Sequence, residues 1–194
     1  MIGYKLLYDN VFAKGIYDFH HKKFEIGEEL SVEGKIKINK QGFHFCPSIE
    51  DTFIYNSLMK NAKLYEVDTL DGEVIIGDTK CVSSKIKVIR EIPLEEIKKY
   101  IEDNLERLVT SDHFRIRAEL ARLGYSLALF VHDLDYPVRV EVARRKYGLD
   151  ILINDESELV RREVALAGYG LEILENDKDF SVRLAVDMYR NNKI

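Results

Sequence analysis

The residues with chemistry to offer gather in one segment. Gly42-Phe43-His44-Phe45-Cys46 reads as a strand, and Pro47-Ser48 then opens a helix that carries Phe53, Ile54 and Leu58 to about Asn61, with Tyr55 on the way. Two residues apart on a strand, His44 and Cys46 share a face. A thiol beside an imidazole is the start of a nucleophile, but that pairing needs a third group to orient the base, and the local sequence supplies none. A half-buried histidine and a buried cysteine are the plainer reading. Metal chemistry has less behind it. Cys46 and Cys81 stand alone and His20-His21 is an adjacent pair, so no zinc spacing is present. Neither a phosphate-binding Gly-rich loop nor a dinucleotide turn nor a Gly-x-Ser-x-Gly elbow occurs. His20-His21-Lys22-Lys23 reads as an exposed basic loop.

Arginine is the other distinctive chemistry. Residues 1–110 hold 14 Lys and two Arg, whereas residues 111–194 hold three Lys and ten Arg. Acidic residues divide 19 and 15, so net charge is 16 − 19 = −3 in the first part and 13 − 15 = −2 in the second. A change of cation without a change of charge gives arginine a geometric task, since its planar fork suits carboxylates and carbonyls. Writing the second part in registers of 22 residues exposes that task. Asp133, Asp155 and Asp177 align, with Ser111 in the preceding slot. Ile116, Val138, Val160 and Val182 align, each followed by arginine: Arg117, Arg139, Arg161 and Arg183. Leu120, Val142, Val164 and Val186 follow, then Tyr125, Tyr147 and Tyr169, then Leu127, Leu149 and Leu171. This is an internal repeat.

The arginine column admits two readings, a ligand-binding ladder or a structural one in which each guanidinium bonds an aspartate or helix-end carbonyl. Identical placement in every unit favours the structural one. Positions that vary between units are better candidates for recognition. Arg122, Arg144, Arg145, Lys146 and Arg162, with Arg161 among them, form a basic cluster expected on one helical face, where it would meet a partner.

The elements that position these groups divide into an α+β domain and a helical array. Residues 1–92 read as strands with one helix: Gly3–Tyr8, Phe24–Leu30 and the alternating Lys35–Asn39. Tyr65–Asp68 and Glu73–Ile76 flank an Asp71-Gly72 hairpin turn, and Lys85–Ile92 alternates again. Pro93 starts a helix, Leu94–Leu108, with Ile97, Ile101, Leu105 and Leu108 on one face; residues 93–110 are predicted to cap the array. From residue 111 to 194 each unit parses as a longer and a shorter helix, too small to bury its apolar face alone, so the units should stack as a short all-α solenoid. The last unit lacks its second helix, and Val182 and Val186 are then expected to face a neighbour, which favours a homodimer through the C-terminal repeat.

Composition sets outer limits. With 46% hydrophobic residues the chain can bury a core, so wholesale disorder is excluded. A net charge of −5 argues against general charge-driven nucleic-acid binding. No apolar run approaches the roughly 18 residues of a membrane span. The first residues show no basic leader, and two cysteines make no disulfide framework, so a cytoplasmic protein is expected.

Three resemblances extend this reading. The repeat over residues 111–194, with its recurrent Asp and Val-Arg pair, resembles HEAT-like and leucine-rich-repeat-variant arrays. The strings "KIKINKQGFHFCPSIEDTFIY" and "YEVDTLDGEVIIGDTKCVSSKIKVIREIP" resemble the N-terminal domain of a bacteriophage and prophage family without assigned activity. That resemblance implies a bacterial host cell and a non-enzymatic binding protein, its repeats contacting a protein partner or a ribonucleoprotein or nucleic acid. An inhibitor of host defence, in the manner of an anti-CRISPR protein, is the sharpest form of it, and it needs no cofactor. Gly42–Tyr55 also resembles the NAD-binding core of ADP-ribosyltransferases. This implies an alternative enzyme in which His44 orients a ribose, Tyr55 stacks on the nicotinamide and Glu91 polarises the ribose, with NAD as cofactor. The first-strand His or Arg and the Ser-Thr-Ser strand of that family are missing near Gly3-Tyr4-Lys5 and beyond.

Overall fold

The computed structural model describes residues 1–10, 15–17, 23–58 and 62–192. His20, His21, Lys22 and Asn61 lie outside them. Two compact units result, Met1–Leu105 and Glu106–Ile194. In chain order the first unit contains β1 (Ile2–Asn10), β2 (Gly15–Tyr17), β3 (Lys23–Phe24), β4 (Glu29–Ser31), β5 (Phe43–Phe45) and α1 (Ile49–Tyr55). After these come β6 (Ala62–Asp68), β7 (Val74–Ile75), β8 (Cys81–Ser83), β9 (Lys85–Glu91) and α2 (Leu94–Asp103). Helix α3 (Leu105–Leu108) falls at the boundary. The second unit contains α4 (Phe114–Leu123), α5 (Leu127–Phe130), α6 (Tyr136–Arg144), α7 (Leu149–Leu152), α8 (Glu158–Leu166), α9 (Leu171–Leu174) and α10 (Phe180–Asn192). An α+β region followed by a helical region is therefore the observed architecture.

The first unit holds two antiparallel sheets, one ordered β3-β2-β1-β6-β9-β4 and the other β5-β8-β7. They meet where Tyr4 and Cys46 exchange backbone hydrogen bonds of 2.8 and 2.7 Å. Leu7, Tyr65, Val67, Ile86 and Val88 of the larger sheet bury with Phe43, Phe45 and Cys81 of the smaller. Gly3 lets the sheets approach so closely, because a Cβ there would overlap the Phe45 ring. The alternation of Lys85–Ile92 is carried through a bulge. Val67 pairs with Val88 and Glu66 with Arg90, so Ile89 is the extra residue and Ile92 reaches the Leu64 backbone.

Four local expectations are corrected. The Asp71-Gly72 turn does not close a hairpin of β6 on β7. Both edges of β6 are occupied, by β1 and β9, so β7 pairs with β8 instead. Lys35–Asn39 is a tight turn rather than a strand: Lys37 bridges Gln41, Asn39 is left-handed at φ 62°, and only Ile36 is buried. Helix α1 stops at Tyr55, where Asn56 turns extended and its N–H bonds Thr52 O. The helix after Pro93 breaks at Asn104, whose side-chain amide donates to Tyr100 O at 2.8 Å and competes with the backbone ladder. Residues 94–105 also belong to the first unit, where the Tyr100 hydroxyl donates to the buried Glu50 carboxylate.

In the second unit each long helix packs on the next: α4 on α6, α6 on α8 and α8 on α10. Repeated apolar columns fill those contacts, with Ile116, Val138, Val160 and Val182 in one and Leu120, Val142, Val164 and Val186 in the next, all buried. Val182 and Val186 are fully buried within the chain, so they call for no second copy to cover them. No helix among the described residues is long and apolar enough to cross a membrane.

Candidate functional site

A cavity of about 680 Å³ opens in the first unit. Strand β1 contributes Tyr4, Lys5 and Leu6, the turn after Ile36 contributes Asn39 and Lys40, and β5 contributes His44 and Phe45. Cys46 follows that strand, α1 adds Thr52 and Tyr55, and Gly42, Asn56 and Lys80 complete the wall. The helix that presents Thr52 and Tyr55 is started by Ser48, whose hydroxyl accepts from the Asp51 N–H at 3.2 Å. Two of the three residues of the proposed enzyme, His44 and Tyr55, thus share one wall. Glu91 is not a wall residue; it lies on β9 and pairs with Lys63 at 3.0 Å.

The local chemistry of these groups is definite. His44 Nε2 accepts from the Asn39 N–H at 2.7 Å, which puts the neutral ring's proton on Nδ1. The Tyr55 hydroxyl shares a 2.6 Å hydrogen bond with Thr79, and Lys80 Nζ sits 3.7 Å from its ring centroid. That ring face already carries a cation. Burial pushes the Cys46 thiol up to about 12, with the Asp51 charge adding to it, so at neutral pH it is not a thiolate. Burial raises Cys81 as well. Neither cysteine is an activated nucleophile. Among the described residues no group of three His, Cys, Asp or Glu is placed to hold a metal.

The cationic wall was not legible in the sequence. Lys5, Lys40 and Lys80 are about 35–40 residues apart and carry no motif. Lys5 Nζ donates to His44 O at 2.8 Å, and Lys80 Nζ donates to Asn39 Oδ1 at 3.3 Å.

In the second unit the arginine column is structural. Arg139 Nε and Nη2 grip Asp155 at 2.6 and 2.8 Å, while its Nη1 donates to Asp133 O at 2.7 Å. Arg161 repeats this on Asp177 at 2.6 and 2.9 Å and on Asp155 O at 2.7 Å. Arg117 does so on Asp133 and Ser111 O. Each aspartate also accepts the N–H two residues on, as Asp177 does from Asp179 at 2.8 Å, so it shapes the turn into the next long helix. The Arg161 guanidinium holds the Asp177 carboxyl below the usual carboxylate range. Arg183 donates to Asp177 O and Lys178 O.

The basic cluster separates into two kinds of residue. Arg122 bonds Glu119, Arg144 bridges Glu141 and Glu163 of consecutive units, and Arg162 lies 3.8 Å from Glu163. Arg145 and Lys146 are exposed and form no ion pair with a described residue. Lys146 sits at φ 57°, in register with Gly124 and Gly168 at φ 95° and 82°. A column that sequence reading passed over also appears. Leu129, Ile151 and Ile173, 22 residues apart on the short helices, are 56%, 44% and 59% exposed.

A family model described as Domain of unknown function (DUF7666) matches residues 1–100, just over half the chain. The chain belongs to the DUF7666 family. Every wall residue of the cavity falls inside the DUF7666 match, as does Glu91; the repeats lie beyond it. No curated protein matches the chain, and neither does any protein of known structure.

Proposed function

We propose that this DUF7666 protein is a binding protein whose repeat unit docks another protein. One observation carries the reading. The Ile116–Val138–Val160–Val182 and Leu120–Val142–Val164–Val186 columns are buried, yet Leu129, Ile151 and Ile173 recur at the same register and stand exposed. Residues kept apolar on each short helix while standing exposed make a ridge for a partner. Tyr147 and Tyr169, 41% and 42% exposed, extend the ridge with the aromatic chemistry of binding surfaces. Arg145 and Lys146, exposed and directly before Tyr147 in the chain, add basic charge, while Arg144 ties consecutive units together and Arg122 and Arg162 face glutamates of their own helices. In this reading the units form a short HEAT-like solenoid, supported by the 22-residue register and the repeated Arg–Asp rungs. The resemblance of about residues 3–93 to phage and prophage proteins supports a role in the bacterial cytoplasm against host defence.

The test is a pull-down from bacterial lysate with the full chain and with an Ile151→Asp/Ile173→Asp double variant. A stoichiometric protein retained by the native chain and lost by the folded double variant is the expected result. Retention by both, or capture of nucleic acid alone, overturns the reading.

The rival is NAD-dependent ADP-ribosyl transfer in the DUF7666 cavity, which His44 and Tyr55 favour by sharing its wall. The residues present fit it poorly. The described wall includes no carboxylate, and Tyr55 already faces Lys80. Label transfer from NAD that disappears in His44→Ala would establish it over the binding reading.

A further inference from the structure

The geometry points to a second, independent site: the DUF7666 cavity binds a small phosphorylated molecule of nucleotide size through Lys5, Lys40 and Lys80. The first unit, residues 1–105, carries 15 basic and 18 acidic residues, a net charge of 15 − 18 = −3. Its cavity nevertheless gathers three lysines and, among the described wall residues, no Asp or Glu. The three come from β1, from the Lys37–Gln41 turn and from the segment before β8, so only the tertiary fold brings them together. Two are held in place, Lys5 on the His44 carbonyl and Lys80 between Asn39 Oδ1 and the Tyr55 ring. Among the described residues, Asp51 is a carboxylate whose charge bears on the wall. It acts on Cys46 together with Lys5 and Lys80, and its Oδ2 accepts from Ser48 at 2.6 Å. Lys40 and Lys80 form no ion pair with a described residue, so among the described residues the recess is positive, and concave low-dielectric walls focus that potential.

The ligand class follows from charge and size. Lysine ammoniums are point charges that suit phosphate oxygens from several directions. A volume of about 680 Å³ exceeds what a bare phosphate fills and lies in the range of small-molecule sites. The rest of the wall, with Asn56 and the Tyr4 ring, offers amide and aromatic contacts for the uncharged part of such a molecule.

Calorimetric titration of the full chain with ADP, pyrophosphate, adenosine and a single-stranded DNA oligonucleotide tests this. ADP should bind, pyrophosphate should compete with it, and adenosine should bind at least about tenfold more weakly. Lys80→Ala and the exposed-site variant Lys40→Glu should each weaken ADP by about tenfold or more at unchanged melting temperature. The Ile151→Asp/Ile173→Asp variant should bind ADP normally, which separates this site from the repeat ridge. Four results would each overturn the proposal: no heat from ADP or pyrophosphate at millimolar concentration, adenosine as tight as ADP, an affinity indifferent to both lysine variants, or DNA binding that ADP does not displace.

Discussion

In the first unit lysine meets carboxylate at the surface, as in Lys63–Glu91, whose side chains are 44% and 41% exposed. In the second, arginine meets aspartate in the interior, and Arg161 and Asp177 are each only 7% exposed. Exposed pairs contribute little and can be rearranged, which leaves lysines available to line a cavity. A buried fork that satisfies a carboxylate, two carbonyls and a turn at once cannot be altered without loss. The switch from Lys to Arg at the domain boundary therefore marks a change of task, from a surface that can evolve a site to a joint repeated between units.

The comparison breaks if buried apolar contacts and buried forks prove dispensable in the second unit. Val160 is fully buried, so Val160→Asp should lower stability by several kcal/mol, on the order of a whole domain's margin. Hydrogen exchange should then show protection lost across α6, α8 and α10 and kept in β1, β6 and β9. Arg161→Ala comes next, at about 3–5 kcal/mol, because it strands the Asp177 carboxylate. Urea unfolding measures it, and Lys63→Ala in the first unit should cost under about 1 kcal/mol by the same method.

Acid and base should attack different units. Asp177 is depressed in the folded state, so its contribution is present above the ordinary carboxylate range near pH 4 and is lost as pH falls through the lower folded value. Cys46 is raised, so its contribution is present below about pH 9 and is lost as pH rises toward about 12. Unit-resolved exchange along a pH series should show the repeat unit loosening first in acid. The DUF7666 unit should loosen first in base, and Cys46→Ser should abolish part of that alkaline loss. The smallest effect is local: Lys146→Gly relieves a left-handed backbone and should raise stability by about 0.5–1 kcal/mol. A calorimetric melt with no gain would mean that Lys146 holds another contact.

The repeat unit was legible because its contacts are sequential. A column such as Val138, Val160 and Val182 recurs every 22 residues and is buried throughout, so periodicity alone identifies the core, and the Arg–Asp rungs repeat with the same period. What periodicity did not separate was buried from exposed apolar columns, and the Leu129–Ile151–Ile173 ridge escaped for that reason. The DUF7666 unit was legible only in its segments. Alternation marked β9 but not its bulge at Ile89, and a good turn dipeptide at Asp71-Gly72 could not reveal that β6 already had two neighbours.

The sequence by itself determined the two-part organisation, the helical period and the recurrence of the arginine and aspartate columns, because those depend on residues close along the chain or at one fixed spacing. Only the tertiary structure decided which strands pair, that His44 and Tyr55 share a wall from which Glu91 is absent, and that Lys5, Lys40 and Lys80 converge. Strand pairing is a competition for edges, and a cavity wall is assembled from residues tens of positions apart, so neither leaves a local pattern to read.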